Sequence, residues 1–490
     1  MIKIGKVFPP KEHAERIERY RNNKNLFKGF HHEVFQRQRK HLSQNHNNLL
    51  YISANLPALI CKKSADFLFG EPVIFDAGVQ ENSNEQKAME RFNAENNMNI
   101  LNYESSLGCA YRGDSFFKIR WGQRWGGKVN TKLDPFRVFI EPQNAEYVFP
   151  ESLPGDAKNV YAYHIVIPVK VSGTNGGEYI LKSESHYPGK IVERQYRANP
   201  TRNDLHGKPI EFNVYSEIEP DKPKVTNTEV PFPLVVHVAN FALEDSWEGI
   251  DDLTEHHGLF DEINMRLSLI AEILDKHSDP AMAVPPGSLD EDEEGNPIFH
   301  AQRDKIFEYD GSEPKPEYIT WNGHLEAAFK ELDKLVDLLL ITAEIPAVVL
   351  GKDNSGTSGS SGSGIKQRMN SLLLKIKRKR QYYEKGLKQV LLIAQMLEHS
   401  KAREVDYEIV TQPRVLFNER LADDEMEKAT ISQIRTGGKT TISRKTVLME
   451  DYGLTEEQAE REIARIREEE RQDGFVDSSI FQKEVVIDDA

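Results

Sequence analysis

The spacing of apolar residues predicts that much of this chain is helical. In residues 249–276 apolar side chains recur every three or four positions, which is the spacing of one helix face. Residues 323–343 and 365–397 repeat this pattern, and residues 51–69 and 86–111 are shorter helical stretches. At about 1.5 Å per residue, the 249–276 helix would be a rod about 42 Å long. Its apolar stripe consists of Ile250, Leu253, His257, Phe260, Ile263, Leu267, Ile270 and Leu274.

The segment between the early helices and the long one is predicted to be β structure. Residues 115–121, 161–167 and 211–215 are short strand-like runs rich in β-branched and aromatic side chains. A hairpin is expected to turn at the Pro-Gly pair of residues 188–189. We therefore predict a mostly antiparallel β region over residues 113–240, and an α+β fold class for the whole chain.

Two polar segments interrupt the later helices. Residues 278–322 contain six prolines and the acidic run 290–294, so we expect a compact, loop-rich excursion at the tip of a two-helix stalk. Residues 354–364 are Gly- and Ser-rich without one apolar side chain, and such a segment cannot form a packed element. It must lie in solvent or against a ligand.

The C-terminal part has weaker patterns. Residues 405–417 are strand-like, and residues 422–470 read as short helices. The last of these helices is predicted to begin at a capping box formed by Thr455 and Gln458. Residues 471–490 are expected to be a disordered tail.

Composition narrows the class of protein. The 490 residues suggest three or four domain-sized pieces, and a net charge of −15 argues against a surface that binds nucleic acid everywhere. A local patch or channel that meets DNA remains compatible with this charge. The two cysteines, Cys61 and Cys109, give no disulfide framework. The N-terminal residues lack a signal-peptide pattern and residues 335–350 are too short and charged to span a bilayer, so a soluble cytoplasmic product without membrane contact is expected.

Nucleotide-binding motifs are incomplete. Gly359 and Gly364 have the spacing of a phosphate-binding loop, but Ile365 follows where the lysine should stand. The run Gly437-Gly-Lys-Thr440 has the lysine, but Gln433 occupies the position of the first glycine. No ATPase site is therefore expected.

Metal and catalytic motifs are incomplete as well. The acidic run that starts at Asp290 resembles a calcium loop, but Ala301 stands where the closing glutamate belongs. His32-Glu33 is followed by Gln36 rather than by the second histidine of a zinc protease, and His256 and His257 point to different helix faces. We expect no metal, no cofactor and no catalytic residue.

A basic stretch follows the Gly/Ser segment. Residues 366–380 hold seven basic residues and no acid, and two interpretations remain open. In the first, these basic residues contact phosphate groups. In the second, they form a solvated helix face that pairs with acidic neighbours in an assembly. The basic residues are Lys366, Arg368, Lys375, Lys377, Arg378, Lys379 and Arg380.

The order of these elements resembles one family, the portal proteins of tailed double-stranded DNA bacteriophages. The resemblance covers about residues 50–470 and rests on order and short patterns. The residues that carry it are the run Lys63 to Val73, the run Trp247 to Leu253 that opens a long helix, the Pro-rich acidic excursion, Ile345-Pro346 before the Gly/Ser segment, and Gly437-Gly438 with Ile442 to Val447.

The resemblance implies a portal fold with a wing, a two-helix stem, a clip, a tunnel loop and a helical crown. The implied parts are the N-terminal wing (1–248), first stem helix (249–277), clip (278–322), second stem helix (323–344), tunnel loop (345–364), a long helix and strand returning to the wing (365–420), crown (421–470) and tail (471–490).

The resemblance also implies a structural, non-enzymatic function. Portal subunits form a homo-oligomeric ring, usually of twelve, at one capsid vertex of the virion, and are assembled in the host cytoplasm. Double-stranded DNA passes through the ring during packaging and ejection, without sequence-specific contacts. The implied protein partners are terminase, the major capsid and scaffolding proteins, and head-completion or tail adaptor proteins.

The same resemblance suggests residues for these contacts. Lys366, Arg368, Lys375, Lys377 and Arg378 are candidates for phosphate or inter-subunit contacts. The partner-docking candidates of the clip are Asp290, Glu291, Asp292, Glu293 and Glu294. The DNA-facing candidates of the tunnel loop are Lys352, Asp353, Asn354, Ser355, Thr357, Ser358, Ser360, Ser361 and Ser363.

Two other functions remain as alternatives. A nucleotide-dependent enzyme acting on nucleic acid would lose activity when Lys366 or Lys439 is changed. A virion or scaffold component without a channel would assemble without a central pore.

Overall fold

The computed structural model describes most of the chain. The described ranges are residues 2–39, 51–80, 82–171, 177–204, 207–278, 325–351, 366–417, 442–450 and 456–476, with short paired segments between residues 282 and 318. The chain divides into two compact units, Met1–Val349 with Ser371–Asn418, and Leu350–Asn370 with Glu419–Ala490. Within the described residues, no helix is long and apolar enough to cross a membrane.

Helices occur in both units, and α1 and α2 lie in a stretch where the apolar spacing predicts none. Those of the first unit are α1 (Ala14–Lys28), α2 (His31–Arg39), α3 (Leu56–Phe69), α4 (Asn84–Asn96), α5 (Met98–Arg112), α6 (His257–Ser278), α7 (Leu325–Thr342) and α8 (Asn370–Lys401, from Ser371 onward). Those of the second unit are α9 (Arg444–Glu450) and α10 (Glu456–Val476).

All strand pairs in the described residues are antiparallel. The larger sheet has the order β1-β9-β8-β7-β6-β5, with β10 also paired to β8, and a second sheet has the order β11-β3-β4. The strands of the larger sheet are β1 (Val7–Phe8), β5 (Val148–Leu153), β6 (Asp156–Lys170), β7 (Tyr179–Tyr187), β8 (Lys190–Asn203), β9 (Pro209–Ile218) and β10 (Lys224–Asn227). Those of the second sheet are β3 (Asp114–Gly122), β4 (Arg137–Gln143) and β11 (Val235–Ala239). The α+β class and the antiparallel β region are confirmed.

Two-stranded pairs complete the described β structure. The first pairs β2 (Ile74–Asp76) with β16 (Arg414–Leu416). Two more lie in the excursion between α6 and α7, where β12 (Met282–Ala283) pairs with β15 (Glu317–Tyr318) and β13 (Asp290–Glu291) pairs with β14 (Pro297–Ile298).

The main hydrophobic core forms around α8. Its residues Leu372, Tyr383, Leu391 and Leu397 are buried among side chains of α3, α4, α5 and the β11-β3-β4 sheet. Because apolar side chains occupy several faces of α8 from Gly386 onward, this part of the helix lies inside the unit rather than on its surface.

Several helix boundaries differ from the prediction. The helix predicted from residue 51 begins at Leu56, where the side chain of Asn55 accepts a hydrogen bond from the amide of Ala58 at 3.4 Å. The helix predicted over 86–111 is divided at Asn97, which adopts a left-handed conformation with φ of 50°. The strand predicted over 405–417 is limited to β16, and α10 extends past residue 470 to Val476.

The predicted start of the long helix at residue 249 is wrong, because α6 begins at His257. Backbone amides before it bond elsewhere: Gly249 donates to Asp114 Oδ1 at 2.8 Å, and Asp252 donates to the carbonyl of Ala110 at 2.8 Å. An amide bonded in this way cannot join the ladder of a helix. The rod shortens from about 42 Å to about 33 Å at about 1.5 Å per residue.

Two glycines permit this approach. Gly113 has a φ of 91°, and a Cβ placed there would lie 2.3 Å from the carbonyl oxygen of Gly249. A Cβ on Gly249 would lie 1.9 Å from the carbonyl oxygen of Gly113. The two backbones therefore touch at a distance that no other residue allows.

We expect Gly249→Ala to lower the free energy of unfolding by on the order of 3 kcal/mol, because the Gly113 carbonyl must move and its neighbours are buried. Urea unfolding followed by circular dichroism measures the change. Gly258→Ala is the matched control, since a Cβ there meets nothing within 4 Å, and it should be neutral or stabilising by about 0.5–1 kcal/mol. Equal stability of Gly249→Ala and the unmodified chain would contradict the contact.

Candidate functional site

A buried ion-pair network lies where α6, α7 and α8 come together in the first unit. The carboxylate of Asp252 is bonded to the Nζ of Lys379, and its Oδ1 lies 3.4 Å from the Nζ of Lys375. Asp252, Lys375 and Lys379 are all buried. Two ammonium groups therefore share one carboxylate in the protein interior.

Neutral partners complete the network. Ser64 of α3 donates to Asp252 Oδ2 at 2.9 Å, and the amide group of Asn240 donates to Oδ1 at 3.1 Å. The Nζ of Lys375 donates to the carbonyl of Ala343 at 3.0 Å, directly after α7. The network thus joins the approach to α6, the end of α7, and helices α3 and α8.

The ammonium groups of Lys375 and Lys379 keep the carboxyl group of Asp252 ionised. Burial alone would raise the pKa of Asp252, but the ammonium groups of Lys375 and Lys379 and the bonds that it accepts hold that pKa well below its usual value. Burial lowers the pKa of Lys379, and the carboxylate of Asp252 opposes this shift. Asp252 is therefore ionised throughout the neutral range.

A second buried network lies beside the first. Asp114, at the start of β3, is fully buried and accepts hydrogen bonds from the hydroxyl of Tyr20 and, at 2.8 Å, from the amide of Gly249. His237 Nε2 lies 2.6 Å from Asp114 Oδ1. This carboxylate holds α1, β3, β11 and the approach to α6 together.

Helices α6 and α7 form a pair that starts from these networks. Arg266 of α6 bonds Glu331 of α7 at 3.1 Å, and Phe260 and Ile263 are buried. The apolar spacing of residues 323–343 predicts an inner stripe on α7 made of Leu325, Phe329, Leu332, Val336 and Leu339. Leu339 is buried, the other leucines and Val336 are half-buried, and Phe329 is exposed.

The outer side of α7 is not uniformly polar. Leu338 and Ile341 are three residues apart and therefore share a face, and Ile341 is 73% exposed. Glu326, Asp333 and Asp337 recur at steps of seven and four, so they share an exposed face, on which Lys330 also lies and pairs with Glu326 at 2.7 Å. The helix thus has an inner apolar face, and an outer apolar face that adjoins a mainly acidic face at Asp337 and Ile341.

The turn after α7 is held by a further ion pair. Glu344 has a left-handed backbone with φ of 59°, and Ile345 donates to the carbonyl of Leu340 at 2.9 Å to end the helix. The carboxylate of Glu344 pairs with the guanidinium of Arg378 on α8. Such a conformation costs on the order of 1 kcal/mol for a residue with a Cβ, and this ion pair offsets part of that cost.

The predicted tunnel-loop residues 352–363 lie outside the described residues, and so do Asp292, Glu293 and Glu294 of the excursion. Asp290 and Glu291 form strand β13. Their assignment to DNA and partner contacts stays a prediction.

The basic stretch 366–380 is divided between surface and interior. Lys377 and Arg378 are exposed, and in the second unit Arg368 is exposed and Lys366 half-buried. The prediction for Lys375 is wrong, because its ammonium group is buried in the Asp252 network and cannot reach a phosphate or another subunit. A lysine every fourth residue looks like a solvated face in the sequence, and nothing local marks the buried partner.

The described residues offer no cluster of three or more His, Cys, Asp or Glu side chains that could hold a metal ion. The candidate site is the pair of helices α6 and α7, with its charged root and the exposed faces of α7.

The chain also matches a known protein family over nearly its whole length. The family described as "Phage portal protein, SPP1 Gp6-like" matches residues 9–474 of the chain. The chain belongs to this phage portal protein family. Members are structural proteins, and this portal protein has the family's α+β architecture.

Solved structures resemble this portal protein at low identity. A chain of "Virion of native gene transfer agent (GTA) particle" has a TM-score of 0.44 and 11% identity, covering 92% of this chain and 96% of its own. A chain of "Neck of empty GTA particle computed with C6 symmetry" has the same score and identity, covering 81% and 90%. No curated protein matches the sequence.

We expect Asp252→Asn to lower the free energy of unfolding of this portal protein by about 3–5 kcal/mol, because two buried ammonium groups lose their counter-charge. Urea unfolding at neutral pH measures the loss. Asp245→Asn removes an exposed carboxylate and should change stability by less than about 0.5 kcal/mol. Equal effects of the two variants would show that the network contributes nothing.

The stabilisation by Asp252 should disappear in acid. Its pKa is lower in the folded chain than in the unfolded one, so its contribution is complete above the unfolded value of about 3.9 and is lost as the pH falls below it. The difference in unfolding free energy between the unmodified chain and Asp252→Asn should therefore shrink below about pH 4. Urea titrations at a series of pH values test this, and a difference that stays constant in acid would contradict it.

Proposed function

We propose that this portal protein forms a ring whose channel conducts viral double-stranded DNA during packaging and ejection. The single observation that carries the proposal is the outer apolar face of α7, defined by Leu338 and Ile341. A helix with a buried face and a second, exposed apolar face needs a further partner, and in a ring the neighbouring subunit supplies it. The family of structural portal proteins, matched over residues 9–474, supports the same assignment.

The acidic face of α7 suits a channel wall. Asp333 and Asp337 repel the phosphates of DNA, whereas Glu326 pairs with Lys330 at 2.7 Å. Lys334 is the other basic residue of this helix. DNA binding strength rises with each phosphate that a cation neutralises, so a surface with more acids than bases lets DNA slide. In this proposal α6 and α7 are the stem, and α7 faces the channel.

The assignments of the remaining parts rest on the resemblance to portal proteins. Residues 1–248 and 365–420 form the wing, residues 278–322 the clip that docks terminase and later head-completion proteins, residues 345–364 the tunnel loop, and residues 421–470 the crown. The ring has about twelve subunits, lies at one vertex of the capsid in the virion, and is assembled in the host cytoplasm with capsid and scaffolding proteins.

Ile341→Asp should leave the subunit folded and prevent ring formation, because Ile341 is 73% exposed in the single chain and becomes buried in the ring. Negative-stain electron microscopy with class averaging detects rings, and circular dichroism checks the fold. Ile263→Asp should instead unfold the subunit, since Ile263 is already buried within the chain. Normal rings from Ile341→Asp would contradict an interface at this face.

Asp333→Lys is the matched variant for the channel wall. It changes charge on the acidic face and should leave rings intact while slowing DNA passage, because an added cation binds phosphate. Packaging in an assembly extract measures the effect. Rings that package at the normal rate would show that the acidic face lies away from DNA.

A further inference from the structure

The loop between β3 and β4, residues 123–136, exposes a group of large apolar side chains. Leu133 is 81% exposed, Trp125 60%, Phe136 53% and Val129 36%. Single exposed apolar residues are ordinary, but four within one loop indicate a surface that another molecule covers.

Hydrogen bonds within the loop hold its backbone in one conformation. Asp134 is 4% exposed, and its carboxylate accepts hydrogen bonds from the backbone amides of Arg124 at 2.9 Å and Trp125 at 2.8 Å. The side chain of Gln123 donates to the carbonyl of Asp134 at 2.7 Å. At the base of the loop, Trp121 and Phe136 stack with ring centroids 6.3 Å apart. A loop that is already ordered loses little conformational entropy when it binds a partner. Most of the free energy gained by burying its exposed apolar side chains is therefore available for binding.

The exposed charged side chains of the loop are all basic. Asp134 is its only acid, and its carboxylate faces the loop's own backbone. Arg124, Lys128 and Lys132 are all exposed. Each of the three cations is therefore next to an exposed apolar residue in the loop sequence, in a chain whose net charge is −15.

We propose that residues 123–136 are a docking loop for an acidic amphipathic segment of another protein. Apolar side chains of that segment cover Trp125 and Leu133, and its carboxylates pair with Arg124, Lys128 and Lys132. Trp with neighbouring cations is typical of the residues that dominate binding energy at protein interfaces. The inference rests on the proposed function, since a portal subunit built into a capsid must bind proteins other than itself.

Other ligands fit the loop less well. Leu133 and Val129 cannot stack on nucleic acid bases, and DNA contact needs no exposed aliphatic side chains. A second copy of this loop carries the same positive charge and would be repelled. An anionic membrane, like the acidic segment, combines negative charge with an apolar interior. The test therefore includes binding to lipid vesicles.

The probe is a fluorescent synthetic helical peptide with Leu on one face and Glu on the other. Fluorescence anisotropy with the full chain should give a Kd on the order of micromolar at low salt, weakening as salt is added. The double variant Trp125→Ser, Leu133→Ser and the double variant Lys128→Glu, Lys132→Glu should each weaken binding by about tenfold or more. Val225→Ser is the matched control, because Val225 is 53% exposed on β10 outside the loop, and it should bind normally.

Several results would overturn the proposal. These are absence of peptide binding, equal binding of a peptide with Lys in place of Glu, and unchanged binding by both loop variants. Loop-dependent binding to phosphatidylglycerol vesicles or duplex DNA without peptide binding would assign the loop to those ligands. Electron microscopy of the same samples separates the two proposals: rings that do not bind the peptide refute only the docking loop, and loop variants that no longer form rings would make the ligand a neighbouring copy. A chain that binds the peptide and forms no rings would refute the proposed function instead.

Discussion

The buried carboxylate of Asp252, shared by Lys375 and Lys379, is the interaction on which the arrangement of the stem helices depends. A charge inside a protein is tolerated only when its partners are placed within hydrogen-bond distance, because desolvation costs several kcal/mol per ion. Here the partners come from separate elements, including Ser64 on α3, while Lys375 also binds the carbonyl of Ala343 after α7. The roots of α6, α7 and α8 are thereby fixed relative to one another.

The glycine contact constrains the same place through the backbone. Because Gly113 and Gly249 touch without side chains between them, the chain reaches α6 along a path that side-chain repacking cannot change. Asp114, at the start of the adjoining strand, also accepts a hydrogen bond from the backbone amide of Gly249. A helix pair that starts from two such fixed points can present its outer faces at a constant angle, which the proposed contact between identical subunits requires.

The sequence predicts the helix interiors and the antiparallel β region well, because burial imposes a periodicity on Phe260, Ile263 and the strand residues that can be read locally. It misplaces the start of α6, since the amides before it bond to residues distant in the chain. It also misses the charged root: Lys379 and Asp252 are 127 positions apart, and the helical spacing of the lysines resembles a solvated face. The sequence gives no signal for such long-range pairing beyond a lysine at an otherwise apolar helix position.

The two exposed apolar surfaces differ in charge, and this difference separates their partners. The outer part of α7 carries residues of both signs, such as Glu331 and Lys334, and identical copies can pack there with opposite charges facing each other. The loop of residues 123–136 carries only cations at its surface, so a partner must bring the acids. Mixed charge suits a contact that every subunit repeats around a ring. A loop whose exposed charges are all positive suits a contact with a different molecule. Two copies of the loop repel each other, so they do not compete with that molecule for binding.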